Sequence, residues 1–256
     1  LPGWQSYYAG LTHNLGAQLH ILDALSRRPF AVVGHRGAAG LRTENTIASV
    51  REAIRLGVDA VEVDVRSTAD GALVVHHDED LRRLFNVPRK VRELTLSEIR
   101  SLRAGEEGVP TLQEVMSEVS GKVGLLVEVK EPQDAPAVVR AIKEEGASEW
   151  AAVISFHPEA VGEASRADLI SGLIYSRPPG EIVQAHRLGA RLVLPLHTLA
   201  TASAVGLAHR MRLKVVAWTV NNPNQALELS TRGVDAIATD RPDLILRVRR
   251  QAPGVV

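Results

Sequence analysis

Eight short apolar runs alternating with helix-like segments predict an α/β protein, a parallel (β/α)8 barrel of the TIM type. Two further observations agree. The chain is 256 residues long, and α/β barrels run to about 250 residues as one domain. Polar and charged residues also gather late in the runs or just after them, where active sites of such barrels lie. A doubly wound sheet is the alternative. It usually has fewer strands and opens on a Gly-rich turn, and HRGAAG at 35–40 is not that fingerprint.

The chain divides into an N-terminal helical extension, 1–29, and a barrel domain, 30–256. In the extension Leu11, Leu15, Leu19, Leu22 and Leu25 recur at helical spacing. A helix is expected to end near Arg27 and Arg28, with Pro29 as its stop. It would cover one end of the barrel; a peripheral membrane contact or a dimer contact is the alternative, since Trp4, Tyr7 and Tyr8 lie just ahead. Strands are then expected at 30–35, 60–65, 124–130, 151–156, 169–175, 191–196, 214–220 and 236–240. Helices between them include 46–56, 135–145, 180–188 and 225–232. A third short strand near the front ends on His76, His77 and Asp78. One short insertion, 78–110, interrupts the alternation. Within it Thr95 and Glu98 form a capping pair at a helix start, and Pro110 opens the next barrel helix.

Composition narrows the function classes. The chain is 45% hydrophobic and 23% charged with zero net charge, which gives a nucleic-acid partner no support. It contains no cysteine, which excludes disulfides and thiolate metal sites. No apolar run approaches the roughly 20 residues needed to span a bilayer. The first residue is Leu1 rather than methionine, so the natural N-terminus is expected upstream, leaving a removed signal or upstream membrane segment open. The expected location is cytoplasmic; oligomeric state is not readable.

The chemistry concentrates between Val32 and Asp78. Residues two apart on a strand share a face, so Glu62 and Asp64 project together while Val61, Val63 and Val65 point the other way. Two carboxylates on one face of so apolar a strand are costly unless neutralised, and a divalent cation with oxygen ligands is the simplest neutraliser. With His35, Arg36, His76 and His77 nearby, the pattern suggests metal-assisted chemistry on an anionic substrate.

The HRG at 35–37, ENT at 44–46, EVD at 62–64 and HD at 77–78, in this order and spacing, resemble the signature of the glycerophosphodiester phosphodiesterase family. The resemblance covers roughly residues 30–250. It implies a (β/α)8 barrel and hydrolysis of a glycerophosphodiester to glycerol 3-phosphate and an alcohol. By the same resemblance Glu62, Asp64 and Glu128 are metal ligands. With no cysteine and the histidines assigned elsewhere, Mg²⁺ or Ca²⁺ is favoured over Zn²⁺. His35 and His77 are the acid–base pair, one assisting attack at phosphorus and the other protonating the leaving alkoxide. The sequence does not say which does which. His77, directly before Asp78, matches the family rather than its neighbour His76.

Arg36 and Lys130 are expected phosphate contacts. Glu44 is expected to orient Arg36 from outside the ligand set. Phe156 and Trp218 are expected at the substrate mouth. Asp240 is expected to cap the last helix, with Arg241 and Pro242 in its first turn. Arg42 and Thr43 before Glu44, and Leu84 and Phe85 in the insertion, depart from the family pattern and bear on head-group preference. Family members commonly place an insertion over the site; this one is short and would leave the mouth more open. Two other functions remain to be weighed: a lysophospholipase D-type hydrolase acting on lyso-lipids, and a non-catalytic barrel that binds phosphodiesters. Completeness of the two histidines and three carboxylates argues against the last.

Overall fold

The computed structural model describes residues 19–178 and 180–251. Its strands are β1 (Ala31–Gly34), β2 (Ala60–Ser67), β3 (Leu73–Val75), β4 (Asp80–Leu81), β5 (Val87–Lys90), β6 (Gly124–Val129), β7 (Ala151–Ser155), β8 (Ile170–Tyr175), β9 (Leu192–Pro195), β10 (Lys214–Ala217) and β11 (Ala236–Thr239). Eight of them run parallel in the order β1-β11-β10-β9-β8-β7-β6-β2, and β1 pairs with β2 to close the ring. This is the predicted (β/α)8 barrel. All eight expected strands are present, and the expected helices appear as Ile47–Leu56, Ala135–Glu144, Ile182–Arg187 and Pro223–Thr231. The first shows why such segments start and stop. Thr46 accepts the N–H of Ser49 at its head, and Gly57 ends it in a left-handed conformation at φ 90°.

Side-chain parity divides the core. Ala31 and Val33, Ala60, Leu126, Ala152 and Ile154, Leu192 and Leu194, Val216, and Ala236 and Ala238 fill the barrel interior. Their odd-man neighbours, such as Val32, Val61, Val63, Leu125 and Val127, pack outward against the helices. Space inside is tight: a Cβ on Gly172 would lie 2.7 Å from Leu194 and 2.8 Å from Leu192.

The N-terminal end is closed from outside the barrel. Within the described residues the N-terminal segment contains a single helical turn, Ile21–Ala24, capped by His20 accepting the N–H of Leu22. A continuous helix through Leu19 and His20 is therefore corrected; residues 1–18 lie outside the described part. Ile21 and Leu25 are fully buried among the interior residues, and Ile21 occupies the notch left by Gly124.

The insertion starts earlier than 78. β2 runs past the point where β1 leaves its edge, since β1 pairs only with Ala60 and Val61. β3 takes the freed edge antiparallel, pairing Val65 with Val75 and Ser67 with Leu73. The sequence reading placed His76 to Asp78 in that strand, but it ends at Val75. From there a β4–β5 hairpin, the turn Arg82–Phe85 and the helix Leu96–Arg100 build a small core of their own from Val74, Leu81, Val91, Leu94, Ile99 and Val109. The expected Thr95–Glu98 capping pair is present. Thr111, rather than Pro110, caps the next barrel helix, Leu112–Val119. No helix among the described residues is long and apolar enough to cross a membrane.

The Ile21–Gly124 contact is testable by denaturant unfolding. Ile21→Ala should destabilise by about 2–5 kcal/mol. Gly124→Ala should cost about 1–3 kcal/mol through overpacking. The double variant should lose less than the sum of the two, because removing the isoleucine opens the space the new methyl needs.

Candidate active site

The candidate site is the C-terminal mouth of the barrel, and its residues continue the inward parity of their strands. His35 follows Val33. Glu62 and Asp64 follow Ala60. Glu128 and Lys130 follow Leu126, Phe156 follows Ile154, Trp218 follows Val216, and Asp240 follows Ala238. Parallel register sets Asp64 beside Glu128. The lower barrel layers are apolar and the uppermost one is charged.

Glu62, Asp64 and Glu128 are 4%, 1% and 9% exposed, so water cannot solvate their charge. One oxygen from each lies within 4.8 Å of the others. Neutralisation comes from the surroundings. Lys130 Nζ bridges Glu128 Oε1 at 2.6 Å and Asp64 Oδ1 at 3.2 Å. Arg36 Nε lies 3.2 Å from Asp64 Oδ2. Asn45 donates to the same oxygen at 2.7 Å and accepts the Asp64 N–H at 3.2 Å. The compensation is uneven. Although burial opposes its charge, Asp64 is held well below the usual carboxylate range by Lys130, Arg36 and His77. Burial, together with the charge on Asp64, pushes Glu62 up to about 8 and Glu128 to about 6. Glu62 Oε1 is buried and has no hydrogen-bond partner.

The turn after β1 brings the backbone to these acids. Arg36 and Asn45 adopt left-handed φ values of 51° and 57°, and Gly37 of 82°. Such a conformation costs a non-glycine residue roughly 1–2 kcal/mol. Here Arg36 donates its N–H to Glu62 Oε2 at 2.9 Å, and Asn45 donates its own to the Arg36 carbonyl at 3.1 Å. Gly37 tolerates no side chain, since a Cβ would lie 2.5 Å from the Ser49 backbone. Arg36 Nη1 bonds Glu44 Oε1 at 2.9 Å, and the Arg83 guanidinium, from the insertion, bonds both Glu44 oxygens and Asp78. Glu44 thus sits beside Arg36 rather than among the three clustered carboxylates.

The two histidines line the same cavity. His35 Nδ1 is hydrogen-bonded to Asp240 Oδ1 at 2.7 Å, and its Nε2 is 3.9 Å from Glu62. Burial disfavours its imidazolium, but Asp240 and Glu62 outweigh that and raise its pKa. His77 Nδ1 is hydrogen-bonded to Asp78 at 2.8 Å. Its pKa is lowered, chiefly by burial, with Lys130 and Arg36 adding repulsion. His76 points away: its Nε2 meets the Asp80 carbonyl at 2.9 Å and its ring packs near Phe85.

One sequence expectation is overturned. Asp240 does not cap the last helix, Pro242–Gln251; its carboxylate is taken by His35 and by Asn221 Nδ2 at 2.7 Å. Arg241 stands at the cap instead, its carbonyl accepting from Leu244 and Ile245. Four residues that the sequence reading did not single out complete the network: Asn45, Arg83, Asn221, and Arg66, whose Nε donates to the His77 carbonyl at 3.0 Å. Asn45 was visible inside the ENT at 44–46, and Asn221 lies three residues after Trp218. Arg66 and Arg83 carried no signal beyond their charge.

The cavity has a volume of about 180 Å³. His35, Arg36, Glu62, His77, Glu128 and Lys130 form its polar wall, and Leu126, Ile154, Ile174 and Leu194 its apolar floor. Phe156, 41% exposed, and Trp218 stand edge to face at 5.6 Å on the rim.

Three carboxylates offering oxygens at one point, one of them with an orphaned buried oxygen, fit a hard divalent cation. The charge count agrees. With every carboxyl ionised, as a bound cation would favour, Glu44, Glu62, Asp64, Asp78, Glu128 and Asp240 are six acids against three fixed cations, Arg36, Arg83 and Lys130, an excess of three.

Residues 35–244 match the model of the glycerophosphoryl diester phosphodiesterase family. A putative glycerophosphodiester phosphodiesterase of Bacillus subtilis is 30% identical over 239 residues, covering 84% of this chain and 96% of the relative. A glycerophosphodiester phosphodiesterase of Caldanaerobacter subterraneus is 31% identical, with 86% and 98% covered. Among solved structures, a putative glycerophosphoryl diester phosphodiesterase from Silicibacter pomeroyi superposes with a TM-score of 0.84 at 27% identity, over 90% of this chain and 97% of its own. A phosphodiesterase from Oleispira antarctica, in complex with the product sn-glycerol-3-phosphate, gives 0.79 at 28% identity, with 85% and 96% covered.

Two outcomes are expected for ion-free protein. A carboxyl whose folded pKa of about 8 exceeds its ordinary 4.5 keeps its proton only in the folded state across that window, so its contribution falls as pH rises. Glu62→Gln should therefore raise the melting temperature at about pH 8, by about 2–4 °C for each kcal/mol of repulsion removed, and change it little near pH 5. In an NMR titration, Asp240→Asn should move the His35 pKa downward, since burial is then less opposed.

Proposed function

This chain belongs to the glycerophosphoryl diester phosphodiesterase family, and from that premise we propose that it is a metal-dependent hydrolase that cleaves glycerophosphodiesters to glycerol 3-phosphate and an alcohol. The observation that carries the reading is the completeness of the mouth: two histidines, each hydrogen-bonded to a carboxylate, face a buried triad of acids with one orphaned oxygen. The relative from Oleispira antarctica that holds sn-glycerol-3-phosphate supports the same product for this chain.

In this reading Glu62, Asp64 and Glu128 hold a divalent cation, Mg²⁺ or Ca²⁺, which supplies Lewis-acid stabilisation to a phosphoryl oxygen. Arg36 and Lys130, already lining the cavity, bind the remaining phosphoryl oxygens and stabilise the charge that grows on them. Glu44 holds Arg36 in place through the Nη1 bond. One of His35 and His77 takes the proton of the attacking oxygen, from water or from a substrate hydroxyl. The other gives a proton to the departing alkoxide. The bond formed is P–O to the attacking oxygen and the bond broken is P–O to the alcohol. Asp240 and Asp78 fix the two imidazoles so that Nε2 of each is the atom left for proton transfer. Phe156 and Trp218 border the path of the leaving alcohol.

One observation favours a second reading, a lysophospholipase D-type reaction on lyso-lipids: the cavity floor is entirely apolar and Phe156 is exposed at its edge. The chemistry at phosphorus and the leaving alcohol are the same; what differs is the acyl chain on the glycerol that stays with the phosphate.

Hydrolysis of glycerophosphocholine and lysophosphatidylcholine, after EDTA and again with Mg²⁺ or Ca²⁺ restored, tests both. Metal-dependent release of glycerol 3-phosphate, reduced about 10²–10⁴-fold in His35→Ala, is the expected result. Turnover of the lyso-lipid alone selects the second reading. Turnover of neither, with metal bound, points to a different diester or to the non-catalytic barrel.

A further inference from the structure

We propose that the N-terminal end of the barrel, opposite the catalytic mouth, is a docking surface for an anionic lipid bilayer. Six arginines converge there: Arg28, Arg187, Arg191, Arg210, Arg212 and Arg250. All are exposed, and among the described residues none lies within ion-pair distance of a carboxylate. Topology gathers them. Arg28 lies just before β1, Arg191 directly before β9 and Arg212 two residues before β10. Arg187 and Arg210 end the helices leading into β9 and β10, and Arg250 lies in the last turn of Pro242–Gln251. Because β9, β10, β11 and β1 are consecutive neighbours in the barrel, the arginines share one continuous sector of that end.

The acids at this end are already engaged, apart from Asp23, which is exposed on the turn Ile21–Ala24. Asp59 accepts the Val32 N–H at 2.7 Å and pairs with Arg27 and Arg249. Asp235 pairs with His209 and Lys214 and accepts the Val215 N–H. Glu228 pairs with Arg232. The exposed acids Glu144, Glu149 and Asp168 lie under β7 and β8, outside the sector. Residues 1–18 and 252–256 contain neither Asp nor Glu, so they bring no acidic side chain to it. A chain of zero formal net charge thus carries an end with an excess of positive charge. Beside the sealed opening a surface depression of about 430 Å³ lies between Arg27, Arg28, Lys122, Arg249 and Arg250, and Asp59 is the only acidic side chain on its described lining.

The stretch that leads into Leu19, a residue lining that depression beside Arg28, argues by its composition for lipid over other polyanions. Residues 1–22 contain no Asp, Glu, Lys or Arg and carry Trp4, Tyr7 and Tyr8 with Leu11, Leu15 and Leu19. Apolar residues and aromatic rings next to an arginine cluster are the composition of a membrane-interface segment. A free phosphate or a nucleic acid would use the arginines but not that segment. Docked this way, the protein presents its catalytic mouth to water rather than to the bilayer.

Vesicle sedimentation with the full 256-residue chain tests the proposal. Vesicles of phosphatidylcholine alone are compared with vesicles containing about 30% phosphatidylserine, at low and high salt. The expected result is binding to the anionic vesicles only, weakened by salt. It should fall more than a hundredfold in the R187E/R191E/R210E/R212E variant, about fivefold or more per arginine. Circular dichroism should show that variant folded, and its hydrolysis of soluble diester should equal that of the parent, since all four residues lie at the far end of the barrel. If charge reversal prevents folding, the corresponding Arg→Gln variant should show the same loss. Equal binding to both vesicle types, binding to neither, a folded variant that binds like the parent, or tighter binding to duplex DNA or inorganic phosphate than to anionic vesicles overturns the proposal. Sedimentation does not depend on turnover, so its outcome is independent of the reaction assigned above.

Discussion

Three carboxylates closed off from water at the mouth of an apolar barrel repel one another, and much of the surrounding structure answers that repulsion. Lys130 and Arg36 lean onto Asp64. The left-handed backbone at Arg36 aims an N–H at Glu62, and Asn45 grips Asp64 from both sides. The strain in that turn is offset by the hydrogen bonds it makes to buried anions, which are stronger than those between neutral groups. Compensation stops short of neutrality. Glu62 is left with a raised pKa and an unpartnered oxygen, and that shortfall suits the mouth to a cation better than to a closed ion-pair cluster.

The two ends of the barrel do different work for a geometric reason. Parallel strands send every strand's C-terminal residue to one rim and every helix C-terminus to the other. One rim can therefore collect residues aimed inward, while the other collects the exposed last-turn arginines that favour the negative ends of helices. Between the rims the interior is packed solid with aliphatic side chains, and Ile21 and Leu25 seal the lower opening. The charged layer consequently rests on a floor that cannot yield, which keeps the acids close despite their repulsion.

The insertion links these layers to the rim. It folds on its own small core, yet through Arg83 it ties Glu44 to Asp78, one from the loop after β1 and the other from the loop after β3. Its position follows from sheet geometry: β2 outruns β1, and the exposed edge recruits β3. A small inserted unit can therefore touch Arg36 and His77 at once through their acidic partners.

The eight strands and the inward face shared by Glu62 and Asp64 were legible from the amino-acid order alone, while the preference for His77 over His76 came from the resemblance of the HD pair at 77–78 to the family signature. Strand period is a local property, and a pair of acids two residues apart declares its common face without any knowledge of the fold. The same local reasoning failed at Asp240, 205 positions from its partner. A residue before a helix reads as a cap, and only ring closure, which sets β11 beside β1, shows that its carboxylate belongs to His35. Helical spacing of leucines likewise suggested a helix running to Arg27 and Arg28, but among the described residues only Ile21–Ala24 is helical, and Ile21 and Leu25 are drawn into the barrel end. Arg66, Arg83 and Asn221 entered the site the same way, through contacts between segments far apart in the chain. Local order thus determined the elements and the chemical types available. The tertiary structure decided which groups meet, because the pairing of charges depends on distances that only the closed barrel sets.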